Sequence, residues 1–195
     1  FCADLLRQHG VHIGINPNFH IYSQESDLQS VINGAVDRVQ EQRDDISDDL
    51  KKALPVIHRL KARLITPENA SGSFSDRNLG EKFAVVYLAY EHELSNRNAL
   101  DFNSLILKTY ELLQRFPAIA ERYRKVYAHI CVDEFQDTNR AQYQLIRSLT
   151  GEVHKNLFIV ADDDQIIYQW NGASHKRIQE FIEDYQPKLI QLPVN

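Results

Sequence analysis

The 195 residues include no methionine, one tryptophan and two cysteines. With no initiator and Phe1 at the start, the chain reads as a piece of a longer protein. Its last residues, Leu192-Pro193-Val194-Asn195, close an apolar run and give the same expectation. Cys2 and Cys131 lie far apart, and Cys131 sits in Ile130-Cys131-Val132, which the pattern predicts as a buried strand. A disulfide framework is therefore not expected, and a reducing, cytoplasmic setting fits. No apolar stretch reaches the roughly 20 residues of a membrane span, and no signal peptide is visible, so no membrane partner is expected. Positive charge is scarce as well: 22 Lys and Arg against 27 Asp and Glu leave a net charge of -5. That balance argues against a simple sequence-independent DNA binder, which carries an overall basic footprint, but it leaves room for a narrow nucleic-acid track.

Two textures alternate along the chain. From Asp101 onward helical and strand signals interleave. An amphipathic stretch with Phe102, Leu105, Ile106 and Leu113 precedes the strand ending at Val132, and a helix with Tyr143, Leu145, Ile146 and Leu149 follows, with Gly151 placed to end it. Leu157 to Val160 reads as a strand, then comes a helix with Ile178, Phe181, Ile182 and Tyr185, then a strand at Leu189 to Leu192. This rhythm predicts an α/β fold with a parallel sheet.

Between about His20 and Arg97 strand signals disappear. Leu28, Val31, Ile32, Ala35, Val36 and Val39 recur at helical spacing behind a capping box formed by Ser26 and Gln29. Leu79, Phe83, Val86, Tyr87, Tyr90 and Leu94 form a second such face. A third helical segment, Leu50 to Ile65, contains Pro55 and is expected to restart or kink there. Thr66 to Arg77 reads as a loop. The domain reading is a core of residues 1–19 and 97–195 interrupted by an all-helical insertion, 20–96.

The most informative run is Val132-Asp133-Glu134-Phe135-Gln136-Asp137-Thr138-Asn139. Two adjacent carboxylates at the end of a strand, at the carboxyl edge of a sheet, suit an NTPase. Phosphoryl transfer to water needs one carboxylate for Mg²⁺ and one to take or orient the proton of the nucleophile, and neighbouring strand-end residues can divide those tasks. The competing reading is that Asp133 merely caps the next helix. Twenty-nine residues after Asp133 comes a second strand end, Ala161-Asp162-Asp163-Asp164-Gln165. A calcium loop there lacks the required glycine and the distal glutamate. The amide of Gln165 can accept from a water and donate to a phosphate oxygen. Tyr168 and Trp170, two apart, share a face if extended and can stack bases, or else they are core aromatics.

At these residues the chain resembles the UvrD/Rep/PcrA-type DNA helicases of superfamily 1. Asp133 to Asn139 is similar to their Walker B motif, and Asp162 to Ala173 to the motif that couples ATP to DNA. Looser likeness extends to Asp101-Phe102 and to Asn18-Phe19-His20-Ile21-Tyr22. The resemblance implies a RecA-like P-loop NTPase core and ATP and Mg²⁺ as cofactors. It implies 3′ to 5′ movement on single-stranded DNA, with action at single/double-strand junctions in DNA repair or replication. Asp133 would hold Mg²⁺, Glu134 would act as general base, Gln165 would contact the γ-phosphate, and Tyr168 and Trp170 would stack on DNA. Asn171, counted with them as a DNA-binding position, stands where an arginine often follows the tryptophan. Ala161 and Ile166 replace a usual glycine and serine. The Gly-x-x-x-x-Gly-Lys-Thr loop of the family is absent from these residues, so they are expected to be inactive by themselves. The motor subunit of a helicase-nuclease and a non-catalytic DNA-binding adaptor are the alternatives, and intact Asp133, Glu134 and Gln165 argue against the adaptor.

One further pattern is the basic run Lys51, Lys52, His58, Arg59, Lys61 and Arg63, free of acidic residues between Leu50 and Thr66. It is either a solvated helix face or a contact for duplex phosphates.

Overall fold

The structure, a computed structural model, describes residues 1–150, 156–162 and 175–190. Helices dominate, joined by two small parallel sheets, an α/β arrangement compatible with the expected class. The first helix, α1 (Cys2–His9), is followed by a turn of 3₁₀ helix and the strand β1 (His20–Tyr22). Then come α2 (Glu25–Gln40), α3 (Leu54–Ala62), the short α4 (Pro67–Ala70) and the long α5 (Arg77–Asn96). The strand β2 (Ala99–Asp101) leads directly into α6 (Phe102–Arg115) and α7 (Pro117–Val126). The chain continues through β3 (Ile130–Val132), α8 (Arg140–Thr150), β4 (Leu157–Ile159) and α9 (His175–Tyr185).

The helical face read from α2 is buried in full: Val31, Ile32, Ala35 and Val36 are inaccessible and pack with Val86, Tyr87, Tyr90 and Leu94 of α5. Each such aliphatic side chain contributes roughly 1.5–3 kcal/mol relative to exposure. Leu79, assigned to the same face of α5, is 42% exposed. It lies in the first turn of α5. Gly80 brings α5 against the preceding turn, since a Cβ there would stand 2.6 Å from the Ser71 carbonyl oxygen. Asp76 caps α5 by accepting from the N–H groups of Asn78 and Leu79. A second core joins Leu5 and Leu6 of α1 to Leu105, Leu112 and Leu113 of α6 and Leu145 and Leu149 of α8.

Both strand pairs are parallel. In the first, His20 faces Ala99 and Tyr22 faces Asp101; in the second, Ile130 faces Leu157 and Val132 faces Ile159. The second pair, crossed over by α8, is the βαβ unit that the spacing of the two strand ends predicts.

Several local expectations change. The 20–96 stretch opens on strand β1, where the sequence gives no strand signal; only pairing with the distant β2 makes those three residues a strand. Ser26 and Gln29 form no capping box: α2 starts earlier, after Gln24, and no side chain caps it. Gln29 instead donates to Asn33 Oδ1 and to the Lys51 carbonyl, at 2.8 and 2.9 Å. Pro55 does restart the chain into α3, whereas Thr66 to Arg77 contains α4 and a 3₁₀ turn (Ser71–Ser73) and is not a plain loop. Cys131 is exposed, because among the described residues β3 has only β4 beside it. Phe102, at the first turn of α6, is 58% exposed. Leu189 and Ile190, expected in a strand, are 73% and 70% exposed and pair with no strand among the described residues. An apolar run becomes a strand only where a neighbour takes its backbone hydrogen bonds.

Candidate functional site

The β3–β4 ladder continues past the strands themselves. The Val160 N–H donates to the Val132 carbonyl and the Phe135 N–H to the Val160 carbonyl, both at 2.9 Å. This pins the chain on either side of Asp133 and Glu134, which both remain exposed. Beneath them Phe135 is fully buried and meets Tyr143 edge-on and Phe181 at a tilt, with ring centres 5.8 and 5.3 Å apart. Two carboxylates are thus held at the rim of the sheet by an aromatic anchor just below.

The backbone at Glu134 is unusual. Its φ of 49° lies in the left-handed region, which costs an L-residue roughly 1–3 kcal/mol. Three other described non-glycine residues share this conformation: Leu64, Asn98 and Gln186. Each of those follows the end of a helix, where a left-handed residue closes the last turn. Glu134 follows a strand, so helix termination does not account for it.

Hydrogen bonds fix the turn. Asp133 Oδ1 accepts from the Glu134 N–H at 3.0 Å, so Asp133 does not cap α8. Asn139 does that in a reciprocal box: it accepts from the Gln142 N–H at 3.0 Å, and its own N–H donates to Gln142 Oε1 at 2.8 Å. The spacing Asn139-Arg140-Ala141-Gln142 carried that signal in the sequence, unread. Gln136 is 1% exposed; its Nε2 donates to Glu134 Oε2 at 2.6 Å and its Oε1 accepts from the Asp162 N–H at 3.0 Å. The strand end at Asp162 is therefore tied to Glu134 through one buried amide. Gln165, Tyr168, Trp170 and Asn171 lie outside the described residues, as does Gly151.

A second cluster of ionisable groups, around Lys61, has a buried centre and reaches the surface at Glu91 and His58. Lys61 Nζ, with no exposure, lies 2.6 Å from Asp101 Oδ2, 2.5 Å from Glu91 Oε1 and 2.7 Å from Ser104 Oγ. It also sits 4.8 Å from the centre of the Tyr90 ring, whose hydroxyl donates to Asp101 Oδ2 at 2.8 Å. Asp101 Oδ1 caps α6 by accepting from the Ser104 N–H at 2.6 Å. Burial alone would raise the Asp101 pKa, but the Lys61 charge and these hydrogen bonds hold it at about 2. Burial works against the Lys61 charge in the same way, and Asp101 and Glu91 outweigh it and raise the Lys61 pKa. His58, 3.8 Å from Asp101, is pushed down by burial and stays neutral. Every charge here is spent on a partner, which makes the cluster a staple between α3, α5 and α6.

That arrangement corrects the reading of the basic run. Lys61 is buried, Lys51 pairs with Asp37 and Asp48, and Lys52 lies 3.6 Å from Asp49, so only Arg59 and Arg63 present the exposed positive face expected of a phosphate contact. An open groove of about 640 Å³, lined by Glu68, Glu91, Lys108 and Glu111 among others, contains neither Asp133 nor Glu134 and is too acidic to attract phosphates. Among the described residues no three His, Cys, Asp or Glu side chains converge on a metal position. A magnesium ion held by one or two carboxylates, water and substrate phosphates needs no such convergence. Exposed Asp133, with a hard oxygen oriented by the Glu134 N–H, fits that mode.

Comparison with known proteins gives the family of the chain. The model of the UvrD/REP helicase N-terminal domain matches residues 1–186. The chain is 39% identical over 195 residues to the ATP-dependent DNA helicase PcrA of Staphylococcus epidermidis, covering 100% of this chain and 26% of that protein. It is 38% identical over 184 residues to the ATP-dependent DNA helicase PcrA of Staphylococcus aureus, covering 94% of this chain and 24% of the relative. The chain spans about a quarter of the length of these curated relatives.

Proposed function

The chain belongs to the UvrD/REP helicase N-terminal domain family, and on that premise we propose that it is part of the motor of an ATP-dependent DNA helicase. In this reading residues 1–19 and 97–195 form a RecA-like core and residues 20–96 a helical insertion. The motor moves 3′ to 5′ on single-stranded DNA, acts at single/double-strand junctions in DNA repair or replication, and works in the cytoplasm. The observation that carries the proposal is the pair Asp133 and Glu134. Both are exposed at the end of a parallel strand, on a left-handed turn that the hydrogen bonds of Gln136 and Val160 hold in place.

The roles divide by chemistry. Asp133 offers a hard, oriented oxygen and would hold Mg²⁺, which when bound with ATP neutralises phosphate charge. Glu134 takes the proton of the attacking water. Gln165 contacts the γ-phosphate; Tyr168 and Trp170 stack on unpaired bases, and Asn171 lies on the same DNA track. A strand-end amide and a nearby aromatic pair give the nucleotide state a direct route to the DNA grip.

The test is DNA-stimulated ATP hydrolysis by the full-length protein. Glu134→Gln is expected to lower turnover by about 10²-fold or more while an ATP analogue still binds, since the substitution removes charge and keeps shape. Turnover near the wild-type rate would sink the assignment. Displacement of a strand from substrates with 3′ or 5′ tails reads the direction.

A further inference from the structure

We propose that Gln136 is a positioning residue for the hydrolytic step, holding the Glu134 carboxylate in register with the strand end at Asp162. The inference rests on the reading of Glu134 as general base. It starts from a cost: Gln136 is a polar side chain with 1% exposure, and a buried amide is tolerated only where its groups are satisfied. Both ends are. The acceptor-only carboxylate of Glu134 lies 2.6 Å from one end, and the donor-only Asp162 N–H lies 3.0 Å from the other. Those two partners fix which end is nitrogen and which is oxygen, so the orientation of the amide is determined by chemistry.

The arrangement does what a buried apolar residue at this position would not do. Glu134 is exposed, and an exposed glutamate samples many rotamers. One short hydrogen bond from a rigid, buried donor restricts it. The donor itself is anchored at the base of the 3₁₀ turn (Phe135–Asp137), whose first residue is fully buried, and to β4 through Asp162. The bond leaves Glu134 Oε1 for the proton of the nucleophile and occupies only Oε2. Any shift of the strand end at Asp162 also moves Gln136, and with it the carboxylate. The segment that begins at Asp162 is the one assigned to γ-phosphate and DNA contact, so a change there has a mechanical path to Glu134 of a single side chain.

Two substitutions in the full-length protein separate positioning from support. Gln136→Glu keeps an oxygen for the Asp162 N–H but replaces the donor to Glu134 with a second carboxyl group. Gln136→Leu removes both bonds at similar volume. Both variants are expected to turn over ATP more slowly by about 10-fold or more, with KM for ATP and the affinity for a non-hydrolysable analogue within about 3-fold of wild type. Gln136→Glu keeps slow amide exchange in the peptide containing Asp162 and melts no lower than Gln136→Leu, although its second carboxyl lowers the midpoint below wild type. Wild-type turnover in either variant, beside an inactive Glu134→Gln, overturns this inference alone. Wild-type turnover in Glu134→Gln overturns the general-base reading and this inference with it. Collapse of the melting midpoint in both Gln136 variants also overturns it, because Gln136 would then be a structural residue only.

Discussion

Asp101 and Asp133 both stand where a short parallel strand ends, yet Asp101 is 1% exposed and Asp133 faces solvent. The contrast lies in what surrounds each carboxylate. Asp101 meets a lysine, a tyrosine hydroxyl and a helix N–H, so its oxygens are filled and its pKa is held at about 2. Its free energy goes into joining α3, α5 and α6. Asp133 receives one N–H, from its own neighbour, and that neighbour sits on a left-handed turn that no helix end requires. A charge satisfied by the protein stabilises the fold; a charge the protein orients but leaves exposed is available to a ligand.

The comparison can be broken in either direction. The largest expected effect is on turnover: Glu134→Gln should lose about 10²-fold or more while the denaturation midpoint hardly moves. Lys61→Ala should do the reverse. It leaves Asp101 buried and Glu91 partly buried without their partner, and breaking a buried pair in this way costs about 3–5 kcal/mol, read as a drop in urea midpoint. Replacing Lys61 by Met and Asp101 by Asn together should cost less than the two single changes summed, since only the partly exposed Glu91 is then left without its partner.

Acid provides a third test. The folded pKa values of Asp101 and His58 lie below their ordinary values of 3.8 and 6.5, so the unfolded chain binds more protons and stability falls as pH falls. The His58 contribution is complete above 6.5 and is lost as pH drops below it; the Asp101 contribution is lost between 3.8 and about 2. Urea midpoints across that range should show both losses, and Asp101→Asn should flatten the lower one. A midpoint independent of pH would separate the cluster from stability altogether. The smallest effect on stability separates Glu134→Gly from Glu134→Ala. Both lose turnover and the hydrogen bond from buried Gln136, but only glycine relieves the left-handed turn, so Glu134→Gly should be the more stable of the two by about 1 kcal/mol, and equal stability would show that the turn carries no strain.

Periodicity and local chemistry determined a good deal by themselves. The apolar faces of α2 and α8, the restart at Pro55 and the parallel β3–β4 pair followed from spacing, because a helix or strand buries whichever residues recur on one side. The pair Asp133 and Glu134 was legible as chemistry because two carboxylates after an apolar run have few uses. What depended on distant partners was not legible. Lys61 read as part of a basic surface, although it stands four residues after Ile57 on the buried face of α3; only the distant carboxylates of Asp101 and Glu91 make its burial tolerable. β1 is a strand because β2 lies beside it, and Leu189 and Ile190 are not, for want of such a neighbour among the described residues. Gln136 was legible only as a member of the run from Val132 to Asn139, with no role of its own. Its two bonds reach residues 2 and 26 positions away, and the folded chain alone brings those groups to the two ends of one amide.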